Sequence, residues 1–209
     1  NHDIFKLGNV NEVSFLTING AGPGYAAISC SDTDGYSTVH KVSIYNCDYG
    51  VKVFASATPT TFYGEYLDIN DVFSYGVYVE STLSVDAVAN LENYWLFPTG
   101  FSNQIGNYAT GSNAMINVYS SVFEGDNGTG STAILLDNGA RLESTGLDVQ
   151  NFDYGVRVPN VGSPASFRLV GAMLHNCGTW DFLIEHPLAE GRMQGISDHS
   201  MINNVSPNF

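Results

Sequence analysis

Apolar and polar residues alternate with period two in short segments of this chain, and the segments recur. Gly50-Val-Lys-Val53, Gly76-Val-Tyr-Val79, Ala133-Ile-Leu-Leu136, Gly155-Val-Arg-Val158 and Asp181-Phe-Leu-Ile184 share one pattern. Two aliphatic or aromatic residues flank one that turns the other way, which predicts a strand with one buried face. Upstream of these strands an apolar anchor stands two places before an Asn-like position. The anchors are Ile18, Ile44, Ile69, Leu91, Val122, Val149, Leu174 and Ile202, in steps of 22 to 31 residues. Each anchor is preceded at two places by a small or aliphatic residue and directly by a mostly polar one, predicting a second strand there. No stretch sustains the i, i+3, i+4, i+7 apolar spacing of a helix, and 22 glycines interrupt every candidate. Short strands and polar turns repeating every 20–30 residues predict a solenoid, here a parallel β-helix of about eight coils with a period of about 26 residues. The strand of the fourth coil falls within 97–108 but shows no matching pattern.

The same repeat explains why YNCDYGVKV at 45–53 returns as QNFDYGVRV at 150–158. The position two places after each anchor holds Gly20, Asn46, Asp71, Asn93, Glu124, Asn151, Asn176 and Asn204. Asn tolerates the left-handed conformation that a sharp bend needs, and its amide bonds to backbone groups the bend leaves unpaired. Asn46, Asp71, Asn93, Asn151, Asn176 and Asn204 are therefore expected to form a ladder of turn residues.

Composition narrows the partners. Of 209 residues, 13% are charged and only seven are basic, giving a formal net charge of −14. Phosphate backbones and anionic membrane surfaces both require Lys and Arg, so nucleic acid and membrane insertion or adsorption are not expected. With 44% hydrophobic residues, 12 Tyr and 12 Phe, the chain has ample surface to bury as a single domain over 1–209. It opens on Asn rather than Met, which reads as a processed piece of a longer chain. The three cysteines (30, 47, 177) lack CxxC spacing, and the five histidines (2, 40, 175, 186, 199) lack ligand spacing. No metal site or cofactor is expected from them.

The repeat Ile-x-Asn-(Cys)-x-x-x-Gly-(Val/Ile)-x-(Val/Ile), read over residues 4–204, resembles the coil of right-handed parallel β-helices of the pectin-lyase-like superfamily. That group includes pectate lyases, polygalacturonases and phage tailspikes. The resemblance implies a single-stranded right-handed β-helix, with functional clefts along the strand after the Gly. Its outward residues are Ser29, Lys52, Tyr78, Leu135, Arg157 and Leu183, followed by Phe54, Glu80, Asp137, Pro159 and Glu185. A polygalacturonase would need further motifs that Asp32-Thr-Asp-Gly35 and Asp48 do not complete, so Asp32-Thr-Asp-Gly35 reads as a turn. A lyase would place calcium-binding carboxylates beside an arginine, and Asp137, Arg157 and Glu185 on consecutive coils are the candidates. Calcium enters only with that alternative. The competing reading of the three is a charge ladder on a solvated sheet.

Phe54, Tyr78, Glu80, Leu135 and Leu183 are candidate contacts for a glycan or a neighbouring subunit, since a solvated face seldom carries so many large apolar residues. The turns at 97–113 and 124–132, rich in Gly, Asn, Ser and Thr, are further candidates. Three functions remain open. The leading one is a non-enzymatic, surface-exposed β-helix acting as a spike, fibre, adhesin or coat component, extracellular or on a cell or virion surface. A homo-oligomer, a trimer by resemblance to tailspikes, goes with it. The alternatives are a polysaccharide lyase or glycoside hydrolase, and a non-catalytic glycan-binding module.

Overall fold

The computed structural model describes residues 3–9, 11–82, 84–98 and 103–196. Sixteen strands and no helix make up the described residues, and every strand pairing is parallel. The chain winds as a β-solenoid of about seven turns with a period near 26 residues. Each turn contributes a rung to three faces. Face 1 stacks 11–14, 35–40, 60–65, 87–92, 114–119, 141–145, 166–170 and 190–194. Face 2 stacks 16–19, 42–45, 67–70, 95–97, 121–124, 147–150 and 173–175. Face 3 stacks 5–7, 26–31, 49–55, 75–81, 105–110, 132–137, 154–158 and 180–184. Two strands, Gly35–Ala55 and Thr60–Ser81, run unbroken round all three faces.

The core is a set of vertical stacks produced by the alternation. On face 2, Ile18, Ile44, Ile69, Leu96, Phe123, Val149 and Leu174 lie one above another and are almost fully buried. Steps of 25 to 27 residues separate them. This register corrects two of the anchors expected from sequence. Leu91 belongs to face 1, between Gly64 and Val118, and Val122 gives its place to Phe123. Ile202, Asn204, His2 and His199 lie outside the described residues. The unplaced fourth coil is Ile105–Thr110, where Gly-Asn107-Tyr-Ala replaces the usual apolar pair. Asn107 sits between Val77 and Ile134 in the core stack, fully buried with neither amide atom hydrogen-bonded. An unpaired buried polar group costs roughly 1–3 kcal/mol, so this rung is weaker than its neighbours.

Two corners need one left-handed residue per turn. Between faces 2 and 3, Asn46, Asp71, Asn151 and Asn176 take φ of 54°, 53°, 61° and 57°. The Asn46 amide donates to Asn19 Oδ1 on the previous turn at 3.0 Å. Asn93 also has positive φ but turns the other corner, between faces 1 and 2. That corner runs Phe15, Lys41, Tyr66, Asn93, Ser120, Gly146, Gly171 and Gly195, with φ from 49° to 68°. For a residue with a Cβ the left-handed region costs about 1–2 kcal/mol, which Gly avoids.

The repeated Asp-Tyr-Gly now has a mechanical reading. Asp48 accepts from Gly24 N one turn earlier at 2.6 Å and from the Ser74 hydroxyl one turn later. Asp153 does the same with Gly130 N at 2.8 Å and the Thr179 hydroxyl. Each carboxylate ties three turns together through charge-assisted bonds, the stronger kind of hydrogen bond. The glycines that follow, Gly50 and Gly155, leave no room for a Cβ. One built there would stand 2.6 Å from the Gly76 carbonyl oxygen and 2.5 Å from that of Asp181.

Candidate functional site

Face 3 carries the residues singled out from sequence. Lys52, Tyr78, Tyr108, Leu135, Arg157 and Leu183 share one outward row, and Phe54, Glu80, Thr110 and Asp137 the next. All ten are half-buried. Four tyrosines dominate the upper part. Tyr49 and Tyr75 stack with centroids 5.2 Å apart, and Tyr75 and Tyr108 at 5.5 Å. Tyr78 packs edge-on against all three at 5.2–5.6 Å. The Lys52 ammonium lies 5.5 Å from the Tyr49 ring and 5.6 Å from Tyr78. Ring faces that would stack on a sugar are thus spent on one another and on a cation.

The carboxylates of this face are engaged as well. Tyr78 donates its hydroxyl to Glu80 Oε2 at 2.9 Å, and Tyr108 donates to Asp137 Oδ2 at 2.7 Å. Asn138 Nδ2 donates to Asp137 Oδ1 at 3.2 Å. Burial first, and then the bond to a carboxylate, push both phenols above the usual tyrosine range. Arg157 pairs with Glu185 at 3.3 Å and lies over the Tyr154 ring at 5.3 Å. The structure therefore joins Arg157 to Glu185 and gives Asp137 to Tyr108. At about a third exposed, the Arg157–Glu185 pair is a surface ion pair contributing about 0–1 kcal/mol. Phe54, Leu135 and Leu183 are covered in part by their neighbours on the same face.

Face 1 offers the more open surface. A hollow of about 430 Å³ is lined by Thr38, Tyr63, Glu65, Asn90, Glu92 and Tyr119, with the backbone of Gly64 and Leu91 as its floor. Tyr63 and Tyr119 are 45% and 40% exposed, and Tyr36 meets Tyr63 edge-on at 6.1 Å. Asn117 Nδ2 donates to Asn90 Oδ1 at 2.8 Å, which leaves the Asn90 amide hydrogens unspent. His40 Nδ1 meets Glu65 Oε2 at 2.9 Å, while Glu92 is exposed and has no hydrogen-bond partner among the described residues. The strained corner borders this hollow. The His40 ring packs between Phe15 at 5.8 Å and Tyr66 at 5.6 Å, and Lys41 Nζ sits over both rings. Phe15 is 74% exposed, the most open large apolar residue of the described chain.

The hollow was hidden in the sequence because Leu91 reads as a face 2 anchor. With the observed register, Thr38-Val-His40, Tyr63-Gly-Glu65, Asn90-Leu-Glu92 and Asn117-Val-Tyr119 align as out-in-out triplets. That alternation was the available signal. The turn at 124–132 is held by Asp153 and by Gly128 N donating to Asp126 at 3.0 Å, and part of 97–113 lies outside the described residues. Asp32, at the turn read from Asp32-Thr-Asp-Gly35, accepts from Ser56 N, Ala57 N and Thr58 N at 2.6, 2.8 and 3.3 Å. These bonds hold its carboxyl well below the usual range. Among the described residues no three His, Cys, Asp or Glu side chains converge on a metal position. The chain matches no protein-family model, no curated protein and no solved structure.

Proposed function

We propose that this protein is a non-enzymatic β-solenoid scaffold at a surface, working as a spike, fibre, adhesin or coat component. The observation that carries the reading is the state of the face 3 carboxylates. Asp137 and Glu80 are each bonded by a tyrosine hydroxyl, and Glu185 by Arg157. A catalytic acid or base has to exchange its proton with substrate, and these groups exchange bonds with their own scaffold. Clamps such as Asp48 and Asp153 fit the same picture, because they bind turn to turn in a rod that has to stay straight. A second reading has support on face 1, where Tyr63, Asn90 and Glu92 offer a ring and unspent polar groups to an uncharged glycan.

The test is incubation with a panel of neutral and acidic polysaccharides, scored for new reducing ends and unsaturated products, with sedimentation of the same sample. No product from the wild type, Asp137→Asn or Glu185→Gln is expected. Release of product that stops in either variant would overturn the proposal. Retention of a neutral oligosaccharide without cleavage, lost in Tyr63→Ala, would favour the glycan-binding form of the scaffold.

A further inference from the structure

Three of the chain's seven basic residues stand on three consecutive rungs of face 1: Arg141, Arg168 and Arg192. All three are exposed. Arg168 and Arg192 are direct neighbours across the parallel ladder, about 4.8 Å apart at the backbone by the usual strand spacing. Like charges placed opposite one another repel. Among the described residues no carboxylate oxygen comes within ion-pair distance of any of the three, although the chain has 21 acids to offer. Arg157, the fourth arginine, lies on face 3 and is paired: it takes a glutamate and a tyrosine ring.

The three side chains border one hollow of about 240 Å³, together with Ser166, Glu143 and Glu190. We infer that this hollow is a binding site for a single oxyanion group, a phosphate, sulfate or carboxylate carried by an otherwise uncharged ligand. Guanidinium forks match the geometry of such groups, and the serine hydroxyl adds a further donor. Glu143 stands opposite Arg168 and Glu190 opposite Ser166 in the ladder, so the lining sums to one net positive charge, three arginines against two glutamates. With a net charge of −14 behind it, that surplus suits one isolated anionic group and not a long polyanion. The inference stands apart from the scaffold reading. Anion binding would hold whether or not the protein cleaves anything.

The experiment is a thermal-unfolding and calorimetric titration of the full chain with inorganic phosphate, sulfate and acetate at fixed ionic strength. Saturable binding of at least one is expected, with the unfolding midpoint rising as the site fills. In Arg168→Gln and Arg192→Gln, affinity is expected to fall about tenfold or more. Arg192→Gln, which removes the like charge beside Arg168 and leaves Glu143 opposite it, should also start from an equal or higher midpoint without anion. Arg157→Gln, on the other face, should bind as the wild type does. No saturable binding, or binding that survives both substitutions, would overturn the inference. The three anions separate the sources: phosphate or sulfate alone indicates an ester, and acetate alone indicates a uronate or similar acid.

Discussion

Two ends of the same face differ in nearly everything but backbone. Across 11–119, face 1 carries Tyr36, Tyr63 and Tyr119 with Glu65 and Glu92, and the corner that follows is turned by Phe15, Lys41, Tyr66, Asn93 and Ser120. Across 141–194 it carries three arginines, and the same corner is turned by Gly146, Gly171 and Gly195. The glycines demonstrate that the bend asks only for positive φ. Where a bulky residue turns it instead, the backbone carries about 1–2 kcal/mol of strain that the fold does not require. Such strain marks positions held for what their side chains present. Phe15, Lys41 and Tyr66 are therefore read as surface, and Gly171 as geometry.

The sharpest way to break that contrast is to exchange the two solutions. Gly171→Ala adds a Cβ that meets nothing within 4 Å, so its cost is the backbone term alone, about 1–2 kcal/mol. Tyr66→Gly releases the same term. It loses backbone entropy of about 0.5–1 kcal/mol and an exposed cation–π contact of similar size. Denaturant unfolding is expected to find Tyr66→Gly within about 1 kcal/mol of wild type and Gly171→Ala clearly below it. A large loss in Tyr66→Gly would make that ring a structural part rather than a displayed one.

A smaller effect separates the ends by pH. The Asp32 carboxyl, held low by three backbone N–H groups and the Ser56 hydroxyl, sits in the N-terminal turns. A depressed carboxyl contributes stability that is complete above its unfolded value, near pH 4, and drains away as pH falls toward its folded value. Hydrogen exchange below pH 4 should therefore loosen the 26–60 region before the C-terminal rungs, and Asp32→Asn should remove the difference. Uniform loss of protection along the rod would contradict this.

The smallest effect contrasts faces rather than ends. Tyr78 and Tyr108 on face 3, and the fully buried Tyr94, have raised phenol values, with burial as the leading cause. Groups raised in the fold stabilise it up to their unfolded value, near pH 10, and lose that contribution as pH climbs further. Ultraviolet titration is expected to resolve a late group of tyrosines that ionises only with unfolding. Tyr78→Phe should shrink the late group by one.

Much of face 3 could be read directly, because Gly50-Val-Lys-Val53 and its relatives alternate cleanly. The Asn corner could be read too, since Asn is the side chain that best tolerates the bend. Register failed at Leu91-Glu-Asn93, which imitates an anchor followed by its Asn while belonging to the other corner. That corner has no residue preference beyond tolerance of positive φ, and so leaves no motif. Asn107 hid its strand by placing an amide where alternation demands an aliphatic residue. The arginine hollow was out of reach for another reason. Arg141, Arg168 and Arg192 meet only once the turn length is fixed at each step.

The one-residue corner also governs how such a chain can change. Deleting a single residue from a rung would swap every later side chain of that rung between core and solvent, and a corner of one residue has no slack to absorb the slip. Length variation is therefore confined to the broader turns, such as 56–59, 111–113 and 159–165, or must come as whole turns at once. The molecule is quantised: it can grow longer or shorter by about 26 residues, or decorate one edge, but it cannot drift.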